Sequence, residues 1–517
     1  MFHKTMFHFH KVKLKIHICS MPENPVHYFN AEEKLPSEID VVIIGAGLGS
    51  LSAAAILAKK GLGVAILEQN YLPGGCTSSY LRKGCIFETG ATTLVGLDEG
   101  MPLKAVMDIA GIELSVEKLK IPMQIHFKNG TILTRYEDRN EWIAEAERVF
   151  GKSGQREFWN QCFYLSDFVW KTSVKQKKFP PQNLNDLLYS AAKSSVSDIL
   201  NARFAFKSTF NLLKKYGLHT NSEFVDFINE QLKITAQNNV HEVNALFGAT
   251  AICYTNYGNY YVHGGLIQLI KAFTDNIGLN GGKLFLKTTV NRIDKLDIGW
   301  KIETSKGVIL AKNIISGIPV NNLAKLVDAK HLPASLKKKI MPVSKLNGAV
   351  QLGLAFKSSS VNAILHHQIH HNLEFGFKGS NSIFISYASS SDTLRSEKGI
   401  TVASVSTHIS DLENVKVDKD VFKEKVIDKL HSLGLLKKED IIYTHVSDPS
   451  DWQDWTRREA GFVGGYPQFK SVLPWEMIPA KLRKSLYVCG DSVYPGQGIP
   501  GVALSGMLAA ERLLADS

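Results

Sequence analysis

Glycines, an acid and the start of a helix stand at spacings that suit one kind of ligand. Gly45-Ala46-Gly47-Leu48-Gly49-Ser50 follows directly on an apolar run at 41–44, and Glu68 stands 23 residues beyond Gly45. Gly45 permits a sharp turn. Gly47 lacks a Cβ, so a diphosphate can approach the backbone, and free N–H groups at a helix start then face the phosphates with the positive end of the helix dipole. A carboxylate at the place of Glu68 accepts hydrogen bonds from an adenosine ribose and argues against a 2′-phosphate, hence against NADP. The third glycine of this pattern is missing, and Ser50 holds its place. That glycine serves close helix-on-strand packing, so the serine predicts slight loosening rather than loss of binding.

The elements that must position these groups are legible around them. Val41, Val42, Ile43 and Ile44 are β-branched without a polar face, as in a strand buried on both sides. Residues 51–60 are rich in Ala and Leu and predict a helix, and a second apolar run at 64–67 ends on Glu68. The unit is strand, turn, helix, strand. Gly74, Gly75 and Cys76 then form a glycine-rich turn that brings further backbone N–H groups toward the same dinucleotide. No second glycine fingerprint follows a strand, so a dedicated NAD(P)H domain is not expected. Reoxidation then falls to an external acceptor, oxygen or a quinone.

Length and composition set the frame. The 517 residues, 44% hydrophobic and 21% charged, suit a globular chain of two interleaved domains. No run of 18 apolar residues exists, so no transmembrane helix is expected. The formal charge of +11 suits an anionic partner. No nucleic-acid module is visible, which favours a membrane surface. The stretch 171–217 sharpens this: nine Lys and Arg stand against Asp186 and Asp198 and interleave with Leu and Phe, in the manner of a basic amphipathic surface binder. The expected location is cytoplasmic and peripheral on the membrane. The first 20 residues carry four Lys, four His and no acid, without the pattern of a signal peptide, and residues 1–37 are expected to form a disordered leader, with Met21 an alternative start. Six scattered cysteines, with no C-x-x-C pair, predict reduced thiols and no zinc site.

The order of motifs resembles a known family. After the glycine loop, the ribose acid and the Pro73-Gly74-Gly75 turn comes Phe87-Glu88-Thr89-Gly90-Ala91-Thr92. Near the C-terminus, Leu486 to Asp491 reads as a strand ending in Gly490-Asp491, followed by Pro495-Gly496-Gln497-Gly498 and a helix starting near Val502. The set is similar to the flavoproteins that include amine oxidases, phytoene desaturases and carotenoid isomerases, and most resembles the bacterial carotenoid C-3′,4′ desaturase-like group. The resemblance implies FAD in the first unit, Asp491 at the flavin ribityl chain, the following helix N-terminus aimed at the isoalloxazine, and Val290 holding the adenine through its backbone. It implies an α/β fold: a Rossmann-like FAD domain of the amine-oxidase kind (38–120, 255–345 and 470–517), interleaved with an α+β substrate domain (121–254 and 346–469) that carries a helical, membrane-facing part. It also implies a lipophilic polyene substrate and desaturation as the reaction. Isomerisation or saturation of a polyene stands second, ahead of amine oxidation and of a non-enzymatic prenyl binder.

Other clusters point less far. His366, His367, His370 and His371 would place His367 and His371 on one face if helical, but no carboxylate pair completes a metal motif, and no metal is expected. Residues 121–250 read as helical throughout. Trp452 and Trp455 suit core packing or a cavity wall. No Ser-His-Asp order and no carboxylate pair at interpretable spacing stands out, so no catalytic side chain is singled out.

Overall fold

A strand with no polar face must be covered twice. The computed structural model describes residues 22–358 and 363–517, and in it the strand Glu38–Ile44 lies inside an eight-stranded sheet, parallel to Val64–Leu67 on one side and Gly307–Ser316 on the other. Val41 and Ile43 enter one core with the helices Leu48–Lys59, Ile267–Leu279 and Ile499–Asp516. Val42 and Ile44 enter the opposite core beside Trp300, Ile302 and Leu323. All four are at most 3% exposed, and each contributes about 1.5–3 kcal/mol by leaving water. The first helix begins at Leu48, three residues before its expected start, because Gly47 takes extended backbone at the N-cap. The C-terminal strand Leu486–Val488 joins the same sheet beside Gly307–Ser316, which brings Gly490 and Asp491 to the end of the first strand.

A second sheet of seven strands runs in the order Ile441–Ser447, Gly348–Lys357, Ile400–Ile409, Ser382–Tyr387, His366–His370, Met123–His126 and Ile132–Arg135. The last two correct the expectation of helix throughout 121–250. Met123, Ile125 and Leu133 are buried at alternate positions, but strands of four residues are too short for that period to stand out beside long helices. The helices that follow, Arg139–Phe150, Gln155–Lys175, Ser222–Ala236 and Ala245–Ile252, enclose an aromatic core with Trp142, Trp159, Phe224 and Phe227.

Two further expectations change. The histidine cluster is not helical: His366–His370 is a strand paired with Ser382–Tyr387 and Met123–His126, and His371 follows it with its N–H donating to the Asn381 carbonyl at 2.9 Å. The rings are buried and partly satisfied by hydrogen bonds, His366 to Thr93 and Ser386, His367 to His126 and the Ile364 carbonyl. Among the described residues no group of His, Cys, Asp and Glu is arranged to hold a metal. Residues 22–37, expected to be disordered, pack on the first sheet: Phe29 is buried in its core and the Glu32 N–H donates to the Leu284 carbonyl. Residues 1–21, with Cys19, the leader histidines and Met21, lie outside the described residues.

The basic stretch forms short helices with an inverted face. Leu184, Leu187 and Leu188 on Leu184–Ala192, and Val196, Ile199 and Leu200 on Val196–Ala202, are 55–76% exposed. The buried residue of the first helix is polar instead: Asp186 meets Arg512 of the C-terminal helix at 2.8 Å. Lys177 adds a contact to Glu511 at 2.7 Å. Among the described residues no helix is long and apolar enough to cross a membrane.

Candidate dinucleotide site

The sharp turn after Ile44 is a backbone requirement. Gly45 has φ +85°, a conformation that suits glycine, and its N–H donates to the Leu67 carbonyl at 2.8 Å. The chain then rises into the helix Leu48–Lys59, whose first N–H groups have no side-chain cap. A Cβ built on Gly47 would meet no atom within 4 Å, so the space before the loop is open to a ligand. Gly74 closes the other wall: its N–H donates to the Ala46 carbonyl at 2.8 Å, and Gly47 and Gly74 form an isolated parallel bridge.

Glu68 joins strand to loop. One carboxylate oxygen accepts from the Ala46 N–H at 2.7 Å and the other from the Asn70 N–H at 2.8 Å. Burial raises its pKa, while the N–H groups of Asn70, Ala46 and Gln69 pull the other way. A carboxylate has about four acceptor sites, so lone pairs remain for ribose hydroxyls.

The missing third glycine is compensated from the neighbouring strand. Ser50 is buried and faces Gly317, where an added Cβ would overlap its Oγ. Close packing that a glycine on the helix would provide is thus provided by a glycine after the strand. A second glycine contact lies on the far side of the helix, where Gly506 of the C-terminal helix meets the backbone of Gly49.

An open groove of about 330 Å³ runs along this corner, within the size range of small-molecule sites. Gly45, Gly47, Leu48, Gly49, Glu68, Gly74, Gly75, Cys76, Val290, Gly490 and Asp491 all line it. Ala46 and Ser50 do not reach the wall; Ala46 acts through its backbone and Ser50 through packing. The groove offers open backbone N–H groups, the Glu68 carboxylate and a cavity before Gly47, and these fit a dinucleotide. The Cys76 thiol is pushed up by burial, with Arg458 opposing, which keeps it protonated and inert at neutral pH.

Scanned against known families, residues 51–514 match "Flavin containing amine oxidoreductase". The chain belongs to that family. It is a flavin-dependent oxidoreductase. Among curated relatives, prolycopene isomerase 1 of an Oncidium hybrid is 24% identical over 93% of this chain and 84% of its own length. The 4,4′-diapolycopene oxygenase of a Methylomonas species is 24% identical over 92% and 98%. A solved putrescine oxidase double mutant superposes with a TM-score of 0.62 at 14% identity, covering 92% of this chain and 99% of that one, which shows the shared fold. In this family the resident group is a flavin.

The groove also contains residues that the motifs did not announce. Asn322 and Lys325 line it from the helix Val320–Leu326. Trp455 and Thr456 line it from the end of the helix Pro449–Thr456, and Arg457 and Arg458 from the loop that follows, all in the stretch 346–469, expected to serve the substrate. Trp455 takes the cavity-wall role, while Trp452 is buried against Gly90. The adjacent arginines followed by Gly464-Gly465 were the available signal: a Cβ on Gly465 would overlap Asp491, so this loop passes directly over the Gly490-Asp491 turn.

Proposed function

We propose that this chain holds FAD and uses it on a carotenoid or related linear polyene, with loss of hydrogen (desaturation) as the first reading. The observation that carries the polyene class is the pair of carotenoid-modifying relatives matched over at least 92% of the chain, together with an intact dinucleotide groove. The similarity to a prolycopene isomerase, and the Pro495-Gly496-Gln497-Gly498 turn, favour isomerisation of double bonds as the second reading. The bound flavin supplies the hydride-accepting chemistry that no side chain has.

In this reading Gly45, Ala46, Gly47, Leu48, Gly49 and Ser50 form the phosphate turn, and Glu68 takes the ribose. Gly74, Gly75 and Cys76 complete the wall, Val290 holds the adenine, and Gly490 and Asp491 orient the flavin side. The first sheet and its helices form the FAD domain, and the second sheet with the helices of 139–254 forms the substrate domain. The role of these residues is binding, orientation and exclusion of water. Electrons leave to oxygen or a quinone.

A polyene dissolves in membranes rather than water, and the outward helices give a place to meet one. Six exposed aliphatic side chains flanked by Lys171, Lys175, Lys193 and Arg203 would dip into the headgroup region of an anionic leaflet, with the chain peripheral on the cytoplasmic face. Leu187→Glu with Ile199→Glu is expected to lower sedimentation with anionic liposomes at least tenfold while leaving flavin content unchanged. Undiminished sedimentation would refute the membrane reading.

The deciding experiment for the reaction is product mass. Flavin-loaded protein is incubated with an acyclic carotenoid in liposomes and the pigment analysed by chromatography and mass spectrometry. Loss of two hydrogens supports desaturation, unchanged mass with shifted retention supports isomerisation, and a gain of two hydrogens supports saturation. Turnover of amines with no change in any polyene refutes the proposal.

A further inference from the structure

One cation in the groove is only half used. The loop that carries it is tied down on both banks: Asn70 Nδ2 donates to the Trp455 carbonyl at 3.1 Å, and Asn322 Nδ2 donates to the Arg457 carbonyl at 2.7 Å. Arg458, which follows them in the chain, is held tightly. Its Nη2 donates to Asp491 Oδ2 at 2.7 Å, and its guanidinium carbon stands 5.1 Å from the centre of the Phe462 ring. Burial alone would lower the Arg458 pKa, but Asp491 beside it raises it, so the charge is permanent. Nη1 is buried and has no partner among the described residues.

A buried guanidinium nitrogen without an acceptor is costly, and the planar fork of arginine suits phosphate oxygens. The other charges facing the groove do not supply that acceptor. Of the acids that line it, Glu68 is held by the Ala46 and Asn70 N–H groups and Asp491 already takes the other arm, while Lys325 can only donate and is paired with Glu459 at 2.8 Å. An unneutralised Asp491 would also repel any anion brought to the helix start at Leu48. A diphosphate in the groove is the group that satisfies both conditions: it accepts from Nη1, and it needs the charge of Asp491 neutralised.

We propose that Arg458 is a cofactor-binding residue whose Nη2 is fixed on Asp491 and whose Nη1 takes the diphosphate of the flavin dinucleotide. A loop from the substrate half of the sequence thereby closes the phosphate site that the glycine turn opens. This rests on the reading of the groove as a flavin dinucleotide site.

The test uses the full chain stripped of flavin and three probes: FAD, ADP, which has the diphosphate without the flavin, and riboflavin, which has the flavin without the diphosphate. Arg458→Gln is expected to weaken ADP and FAD roughly 10- to 100-fold in calorimetric titration, with riboflavin changed less than about threefold. Arg458→Lys should restore part of the loss, and the salt dependence of ADP binding should flatten in the glutamine variant. If Arg458→Gln fails to fold, Arg458→Gln with Asp491→Asn leaves no uncompensated carboxylate and carries the same ADP measurement. Unchanged ADP affinity, or a loss confined to riboflavin, overturns the assignment. An unaltered chain that binds neither FAD nor ADP fails the flavin reading instead.

Discussion

Along the first sheet, the turns that border the groove present backbone polar atoms. The start of the helix Leu48–Lys59 and the Gly490-Asp491 turn lie just past strand ends, and the Gly74-Gly75 turn lies against Gly47, where the main chain has donors to spare. Along the second sheet, buried polarity comes from side chains. His366 reaches Thr93 and Ser386, His126 reaches His367, and Gln231 reaches Gln368, each across the sequence. A backbone site needs particular small residues at fixed local offsets and tolerates little else. A side-chain network needs partners brought together by topology and depends on burial and charge state. The two regions should therefore fail under different insults.

The strongest contrast is at Gly47. A Cβ there meets no atom of the protein within 4 Å, and the backbone suits an L residue, since φ is −68°. A valine side chain instead fills the space before the helix N-terminus. We expect Gly47→Val to purify without flavin absorbance, at least 100-fold weaker in FAD binding, with a melting curve matching that of the flavin-free parent. A yellow variant would show that the diphosphate does not approach this turn.

Next is the buried ion pair that holds the outward helices to the C-terminal helix. Asp186 and Arg512 side chains are 5% and 7% exposed. Removing one partner strands the other charge in the interior, and Asp186→Ala should cost about 3–5 kcal/mol in urea unfolding. Asp186→Leu with Arg512→Met should lose much less, because no charge is left uncompensated. Equal losses would mean that packing, not charge, fixes these helices.

How far the sequence foretold the molecule follows the same division. The glycine turn after the first strand was legible because Gly45, Gly47 and Glu68 interact with their near neighbours: Glu68 accepts from Ala46 across one strand–helix–strand unit. The compensation of Ser50 by Gly317 was not, because it depends on which strand lies beside the helix. Nor was Arg458, because its partner Asp491, and the Asn70 and Asn322 that hold the neighbouring Trp455 and Arg457 carbonyls, come from three separate elements. The strand at 366–370 was hidden for the same reason: five residues containing three histidines carry no apolar alternation, and pairing with both neighbours decides their conformation. The outward Leu and Ile of 184–200 were visible as amphipathic, but only the Asp186–Arg512 contact shows which face is inside.

The Ser50–Gly317 contact gives a smaller, sharper test on the backbone side. Gly317→Ala places a methyl on Ser50 Oγ and should destabilise by about 1–3 kcal/mol. Ser50→Gly alone restores the usual third glycine and should change stability little. Combined, the two should recover most of the loss, a coupling that a double-mutant cycle reads directly. Additive losses would show that the contact is not the source of the tolerance at position 50.

On the side-chain network the corresponding test is acid. Burial lowers the pKa of His366 to about 3 and those of His367 and His371 to about 4, against about 6.5 in an unfolded chain. Below pH 6.5 the unfolded chain therefore takes up protons that the folded rings refuse. Stability is full above that pH and falls as the pH drops toward 4, the opposite of a histidine gaining an ion partner. Each such ring contributes a slope of about 1.4 kcal/mol per pH unit through the window. Glutamine at 366 can still reach one of Thr93 and Ser386 but does not titrate. Between pH 6 and pH 5, His366→Gln should lose about 1.4 kcal/mol less than the parent in urea unfolding, even if it begins somewhat less stable at pH 7. Parallel stability curves for the two proteins would place the acid sensitivity elsewhere and would remove the titrating side chains as the distinguishing feature of the second sheet.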